Sequence, residues 1–289
     1  MPLVNLKTIL DKAYRDQYAV GAFNIINLTF LEAIIAAAQK QESPVILNIA
    51  EVHFPFLTLE NIVPLAKMVA ERAEVEVALN LDHGLTMEAI HKAIDLGFTS
   101  IMFDGSRLDY PENIRGTQAV VELCRPQGIS VEAELGAVGG EEGGGLVGSA
   151  DPARYTDVDQ AREFVRETGI DALAVAIGNS HGKYKGAPCL DFERLQAIRD
   201  ATGIPLVLHG GSGISDEDFR KAVSLGIAKI NFFTGMSQAA LNATRTYLNQ
   251  GQETYNDYPA MITKVKVAVC ETVEEQIQIF GSVGKGSRE

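Results

Sequence analysis

At 289 residues, 46% of them hydrophobic, the chain is long enough for one large barrel-type domain and does not require a second. A formal net charge of −13 leaves no basic patch for nucleic acid or an anionic membrane, although a local field inside a cleft can still receive a small anion. The three cysteines, Cys124, Cys189 and Cys270, are scattered without a CxxC pair, which fits a reducing compartment. The N-terminus has no basic stretch leading into an apolar one, and no apolar run reaches the ~18 residues of a membrane span. The expectation is a cytoplasmic protein with neither nucleic-acid nor membrane partners.

Short apolar, β-branched runs alternate with amphipathic helical patterns. Strands are expected at Tyr18–Ile25, Pro44–Ala50, Val75–Asp82, Ser100–Asp104, Ser130–Leu135, Ala172–Gly178, Pro205–His209 and Lys229–Phe233. Helices are expected near Thr29–Gln41, Leu59–Arg72, Thr86–Leu96, Pro111–Cys124, Asp157–Thr168, Phe192–Ala201, Asp216–Leu225 and Met236–Asn249. Gly97, Gly128, Gly169, Gly203 and Gly226 stop helices just before strands, as helix C-termini favour. Strands too apolar to have a wet face imply a parallel sheet covered by helices. Eight units close an α/β barrel of the (β/α)8, or TIM, type. The competing doubly wound sheet lacks a GxGxxG turn after its first strand. A helical tail over about 260–289 follows, with a helix pattern at Val265–Ile279 and frayed last residues. The whole chain, 1–289, reads as a single domain.

In such a barrel, reactive groups collect where strands end. Those ends carry Asn24, Asn48, Asp82 with His83, Asp104 with Ser106, Glu132 with Glu134, His181, His209, and Asn231 with Thr234. Three of the five histidines stand there, each before a glycine; His53 and His91 read as partly exposed polar residues. Imidazoles from three strands converging on one mouth can hold a divalent cation with a position left for substrate. Neutral imidazole suits zinc, with cobalt, manganese or iron as alternatives, and Glu134 could serve as a fourth or alternate ligand. The plainer reading is three unrelated core histidines. His209-Gly210-Gly211-Ser212-Gly213 and the Asn231–Thr234 stretch resemble backbone anion cradles after the last strands, or else ordinary tight turns. The long segment Gly136–Tyr155 has six glycines in its first ten residues and carries Glu141 and Glu142, the composition of a mobile functional loop.

From Gly21-Ala22-Phe23-Asn24 to Phe280-Gly281-Ser282-Val283-Gly284-Lys285, the chain resembles the class II, metal-dependent ketose-bisphosphate aldolases: fructose-bisphosphate aldolase and its tagatose-bisphosphate and inositol-catabolic relatives. Val131–Glu142 matches one of the family's signatures throughout. Leu81-Asp82-His83-Gly84 matches the other, with Asn80 where histidine is usual. The resemblance implies reversible aldol cleavage of a ketose 1-phosphate or 1,6-bisphosphate to dihydroxyacetone phosphate and an aldehyde, through a metal-stabilised enediolate. It implies that His83, His181 and His209 bind the metal and that Glu134 is an alternate ligand. It assigns movement of the ketone's α-proton to Glu142 and of the aldehyde-oxygen proton to Asp82. Asn24, Gly182, Gly210, Ser212, Asn231 and Thr234 would contact the substrate and its first phosphate, which a monovalent cation often accompanies in this family. A homo-oligomer, dimer or tetramer, is implied as well.

The grip on the second phosphate departs from the family. A hydroxyl residue after strand two and a tail arginine are replaced by Ala50 and Pro259, Glu274 occupies a further basic position, and Asn231-Phe232-Phe233-Thr234-Gly235 is unusually aromatic. The expected aldehyde is therefore not an ordinary triose phosphate, with Arg107, Lys183, Lys185 or Lys264 as replacement contacts. The competing functions are a metal-dependent barrel hydrolase and a non-catalytic paralogue of the aldolases.

Overall fold

The computed structural model describes residues 3–140, 146–147, 151–186, 188–249 and 257–286. Eight parallel strands close a barrel: β1 (Val20–Asn24), β2 (Val45–Ala50), β3 (Val77–Gly84), β4 (Ser100–Phe103), β5 (Ser130–Leu135), β7 (Ala172–Val175), β9 (Leu206–Leu208) and β10 (Ile227–Phe232). Two short strands, β6 (Leu146–Val147) and β8 (Lys183–Tyr184), pair with each other outside it. The helices between the strands are α2 (Leu28–Lys40), α3 (Leu59–Arg72), α4 (Met87–Leu96), α5 (Tyr110–Cys124), α6 (Val158–Thr168), α7 (Phe192–Thr202), α8 (Asp216–Ser224) and α9 (Thr234–Leu248). This is the (β/α)8 architecture expected from the alternation of patterns.

Strand periodicity divides the barrel into two shells. Val45, Leu47 and Ile49 of β2, and Val77, Leu79 and Leu81 of β3, join the apolar layer beneath the helices. The alternate positions point inward. Low in the barrel these are Val20, Ala22, Ile46, Ala78, Met102, Ala172, Ala174, Val207 and Ala228. Toward the strand C-termini they become Asn24, Asn48, Asn80, Asp82, Glu132, Glu134, His209 and Asn231, all buried. The same alternation thus makes an apolar floor and a polar mouth.

The pattern reading placed no helix before the first strand, but the structure has one, α1 (Leu6–Asp16). Asn5 caps it by accepting from Thr8 N–H. Leu6, Ile9, Leu10 and Ala13 form a stripe at i, i+3, i+4 and i+7, fully buried against the floor residues. Ser130 at the start of β5 accepts from Lys7 N–H, and Val77 C=O from Val4 N–H, so the N-terminal end of α1 is tied to the barrel.

The tail helix, α10 (Tyr258–Phe280), starts earlier than expected, with Asp257 as its cap and Pro259 in its first turn. Val265, Val269, Val273 and Ile277 run at every fourth position and are buried in the layer shared with α2 and α9. Beyond the helix, Gly284 and Gly286 donate to Gln41 and Glu42 carbonyls, so the tail is anchored that far; residues 287–289 lie outside the described residues.

Truncating Leu10 to alanine would open a cavity in the floor. The expected loss is about 2–5 kcal/mol of unfolding free energy, read from urea denaturation.

Candidate active site

Asn24, Asn48 and Asn80 are neighbours in strand register across β1, β2 and β3, and Asp82 stands one inward position above Asn80. Asn80 donates to Asn48 Oδ1 at 3.0 Å, so the asparagine found where histidine is usual in the resembled family belongs to a buried amide row. Asp82 is fully buried, accepting from Asn24 Nδ2 at 3.2 Å and Asn231 Nδ2 at 2.8 Å. Burial alone would raise its pKa, but His83, His209 and Lys229 outweigh burial and hold it below the ordinary carboxylate value.

His83 follows at φ +45°, a left-handed backbone rare for a side-chain-bearing residue, where the β3–β4 register also shifts. That turn aims its ring across the mouth. His83 Nε2 lies 3.1 Å from His181 Nε2 and 2.9 Å from His209 Nδ1. The other faces of two of these rings are held by carboxylates. Asp104 Oδ2 accepts from His83 Nδ1 at 2.8 Å, and Glu132 Oε1 accepts from His209 Nε2 at 2.9 Å. Glu132 also takes Lys229 Nζ at 2.6 Å, and all three of Lys229, Glu132 and His209 are wholly buried.

This tautomer pattern tests whether a cation fits. Carboxylates can only accept, so His83 Nδ1 and His209 Nε2 carry the protons. The nitrogens facing each other at 2.9 Å then both present lone pairs, an arrangement that is repulsive unless a positive charge lies between them. Two imidazoles on one tetrahedral ion with bonds of about 2.0–2.1 Å would stand ~3.4 Å apart, so the 2.9 and 3.1 Å separations seen would widen by a few tenths of an ångström around one. Burial, with His83 beside it, pushes His181 down to about 3 and His209 well below its usual value, so both stay neutral and available as ligands. Glu134, together with His83 and Asp104, forms a second set of converging donors. Its Oε1 accepts from Val138 N–H, its Oε2 has no partner, and burial raises its carboxyl to about 8.

Beside the histidines, Gly182, Gly210, Gly211, Ser212, Asn231 and Thr234 line a small pocket. Gly210 has φ +67°, and a Cβ there would overlap the Ser180 carbonyl oxygen, so glycine lets the β9 loop lie against the His181 loop. Phe233 precedes α9 without capping it, and Ser212 Oγ receives Gly235 N–H at 3.0 Å. The first turn of α9 thus faces the pocket with backbone donors and a positive helix end. Five of the six expected substrate contacts line this pocket; the sixth, Asn24, is placed against Asp82 instead.

Glu142 and its neighbour Glu141 lie outside the described residues. His91 is exposed, as read from its helix face, but His53 is not: it is only 5% exposed, with its ring 4.7 Å from that of Phe233. Lys229 was not singled out from sequence. The signal was its position two residues before Asn231 on one strand, which puts a lysine on the inward face. Replacing Lys229 by methionine would strand the Glu132 carboxylate in the barrel. The expected cost is about 3–5 kcal/mol in urea unfolding, largely recovered when Glu132→Gln is added.

The fructose-bisphosphate aldolase class-II family matches residues 4–285. The chain is 44% identical to the 6-phospho-5-dehydro-2-deoxy-D-gluconate aldolase of Halalkalibacterium halodurans, covering 99% of this chain and 98% of that one. It is 43% identical to the fructose-bisphosphate aldolase of Geobacillus stearothermophilus, with 100% of both chains covered. The crystal structure of the YdjI aldolase from Escherichia coli K12 superposes with a TM-score of 0.88 at 40% identity, covering 99% of this chain and 100% of the other. Over nearly its whole length the chain belongs to the class II fructose-bisphosphate aldolase family and is a lyase.

Proposed function

We propose that the protein cleaves a ketose 1-phosphate reversibly into dihydroxyacetone phosphate and an aldehyde. The observation that carries this reading is the meeting of His83, His181 and His209 beside Asp82 and the glycine-lined pocket. The three imidazoles would hold a divalent cation, zinc first and cobalt or manganese as alternatives, with Glu134 as an alternate ligand. When bound, that ion supplies Lewis acidity for the negative charge that develops on the ketone half.

The chain's own residues do the rest. The pocket of Gly182, Gly210, Ser212, Asn231 and Thr234 would seat the ketone's phosphate on backbone N–H groups and the α9 N-terminus. Asp82 rests ionised, so in the cleavage direction it acts as base toward the hydroxyl that becomes the aldehyde; in addition it returns that proton. Asn24 and Asn231 hold its two oxygens in place. Glu142 is proposed to move the proton on the ketone's α-carbon.

The two curated relatives carry names for different substrates, one a bisphosphate and one a phosphorylated keto acid. For this chain we propose an aldehyde half without a phosphate. Ala50, opposite Asp82 in strand register, has no polar side-chain atom, Pro259 lies in the first turn of α10, and Glu274 is paired to Lys40 at 2.7 Å. A lost charge-assisted hydrogen bond to phosphate is worth about 1.5–3 kcal/mol, enough to change preference. The working form is proposed to be a cytoplasmic homodimer or homotetramer of one barrel domain. Exposed Leu241, Leu248, Tyr258 and Val267 on α9 and α10 support the assembly. Among the described residues no helix is long and apolar enough to cross a membrane.

Asp82→Ala is expected to keep its metal, measured by atomic absorption, while cleavage falls by roughly 10²–10⁴-fold. His209→Ala is expected to lose the metal, and full metal content in it would remove His209 from the ligand set. Steady-state rates should favour a 1-phosphorylated ketose lacking the second phosphate over fructose 1,6-bisphosphate; equal efficiencies would contradict the altered distal site.

A further inference from the structure

The wall of the mouth reached by β1, β2 and β3 adjoins the phosphate pocket at β10 but is distinct from it, the pocket being built from the loops after β7, β9 and β10. Its three loops, residues 25–27, 51–58 and 85–86, contain no lysine or arginine. Glu51, the one carboxylate there, is fully engaged, accepting from Leu85 N–H, Thr86 N–H and Thr86 Oγ1 at 2.6, 3.1 and 2.8 Å. The remaining ionisable group is His53, on the short turn after β2. Its ring packs against Phe233, which itself borders the phosphate pocket, with Phe56 at 6.5 Å on another side. His53 is buried, yet its Nδ1 has no hydrogen-bond partner. Such a group costs stability, so a native structure that keeps it calls for an explanation.

Resting on the aldolase reading above, we propose that His53 determines specificity for the aldehyde half, its Nδ1 hydrogen-bonding a hydroxyl of an uncharged hydroxyaldehyde while Phe233 and Phe56 flank the carbon chain. Burial keeps the imidazole toward its neutral form, with the charge of Asp82 acting the other way. A neutral imidazole can donate or accept, and a hydroxyl answers either role. A phosphate or carboxylate would need a fixed positive charge, which this wall does not offer.

The test runs in the addition direction, with dihydroxyacetone phosphate and four aldehydes: glyceraldehyde, propionaldehyde, glyceraldehyde 3-phosphate and a semialdehyde bearing a carboxylate. Wild-type protein should prefer glyceraldehyde to the other three. In His53→Leu the KM for glyceraldehyde should rise about tenfold, the size of one lost hydrogen bond, with little change for propionaldehyde. His53→Asn keeps a polar atom near Nδ1 and should restore part of the discrimination. The Tm of His53→Leu should not fall, because an unpartnered buried nitrogen has been replaced by an apolar group.

An unchanged glyceraldehyde-to-propionaldehyde ratio in His53→Leu, or an equal loss on both, would overturn the assignment, leaving His53 with water or a packing role. Wild-type preference for either charged aldehyde would overturn the substrate class. Exchange of the α-proton of dihydroxyacetone phosphate without any aldehyde separates the two levels. If wild-type protein shows none, the aldolase reading fails; if exchange is present and the His53 variants behave as wild type, only the His53 assignment fails.

Discussion

The mouth depends on one buried carboxylate. Glu132 reaches Lys229 with one oxygen and His209 with the other, all three sealed from water. An isolated charge could not persist there; the ammonium compensates the carboxylate, and the carboxylate then decides which His209 nitrogen keeps its proton. The free nitrogen is thereby turned toward His83 and His181. Asp104 does the same for His83 from the far side of the ring. The converging nitrogens are thus an outcome of hydrogen-bond partners placed behind them, and the strain at His83's left-handed backbone is tolerated within that frame.

The glycine-lined pocket follows a complementary logic of leaving groups unmatched. Eight helices start with a side-chain cap: Asn5, Asn27, Thr86, Asp109, Asp157, Asp191, Ser215 and Asp257 each accept from a first-turn N–H. Phe233 cannot do so for α9. The helix that borders the pocket is therefore one whose own sequence supplies no cap, and Ser212 takes one of its N-terminal donors instead.

The frame of this protein was legible because its strands are buried on both faces and several of its helices stop at glycine, patterns that depend on near neighbours. All eight barrel strands and the polar character of their ends could be read that way. The helix α1 was missed even though its stripe of Leu6, Ile9, Leu10 and Ala13 is plain, since nothing local says that a barrel needs a floor. Lys229 and His53 were missed for a different reason. The partner of Lys229 lies 97 residues away on β5, and His53 is covered by Phe233, which follows β10 far along the chain. Burial of a polar residue by a distant element has no signature in its own neighbourhood.

Because α1 stoppers the base of the barrel with close-packed aliphatic side chains, the molecule is a one-ended vessel. Whatever enters by the rim must return by the rim, and two products share a single doorway.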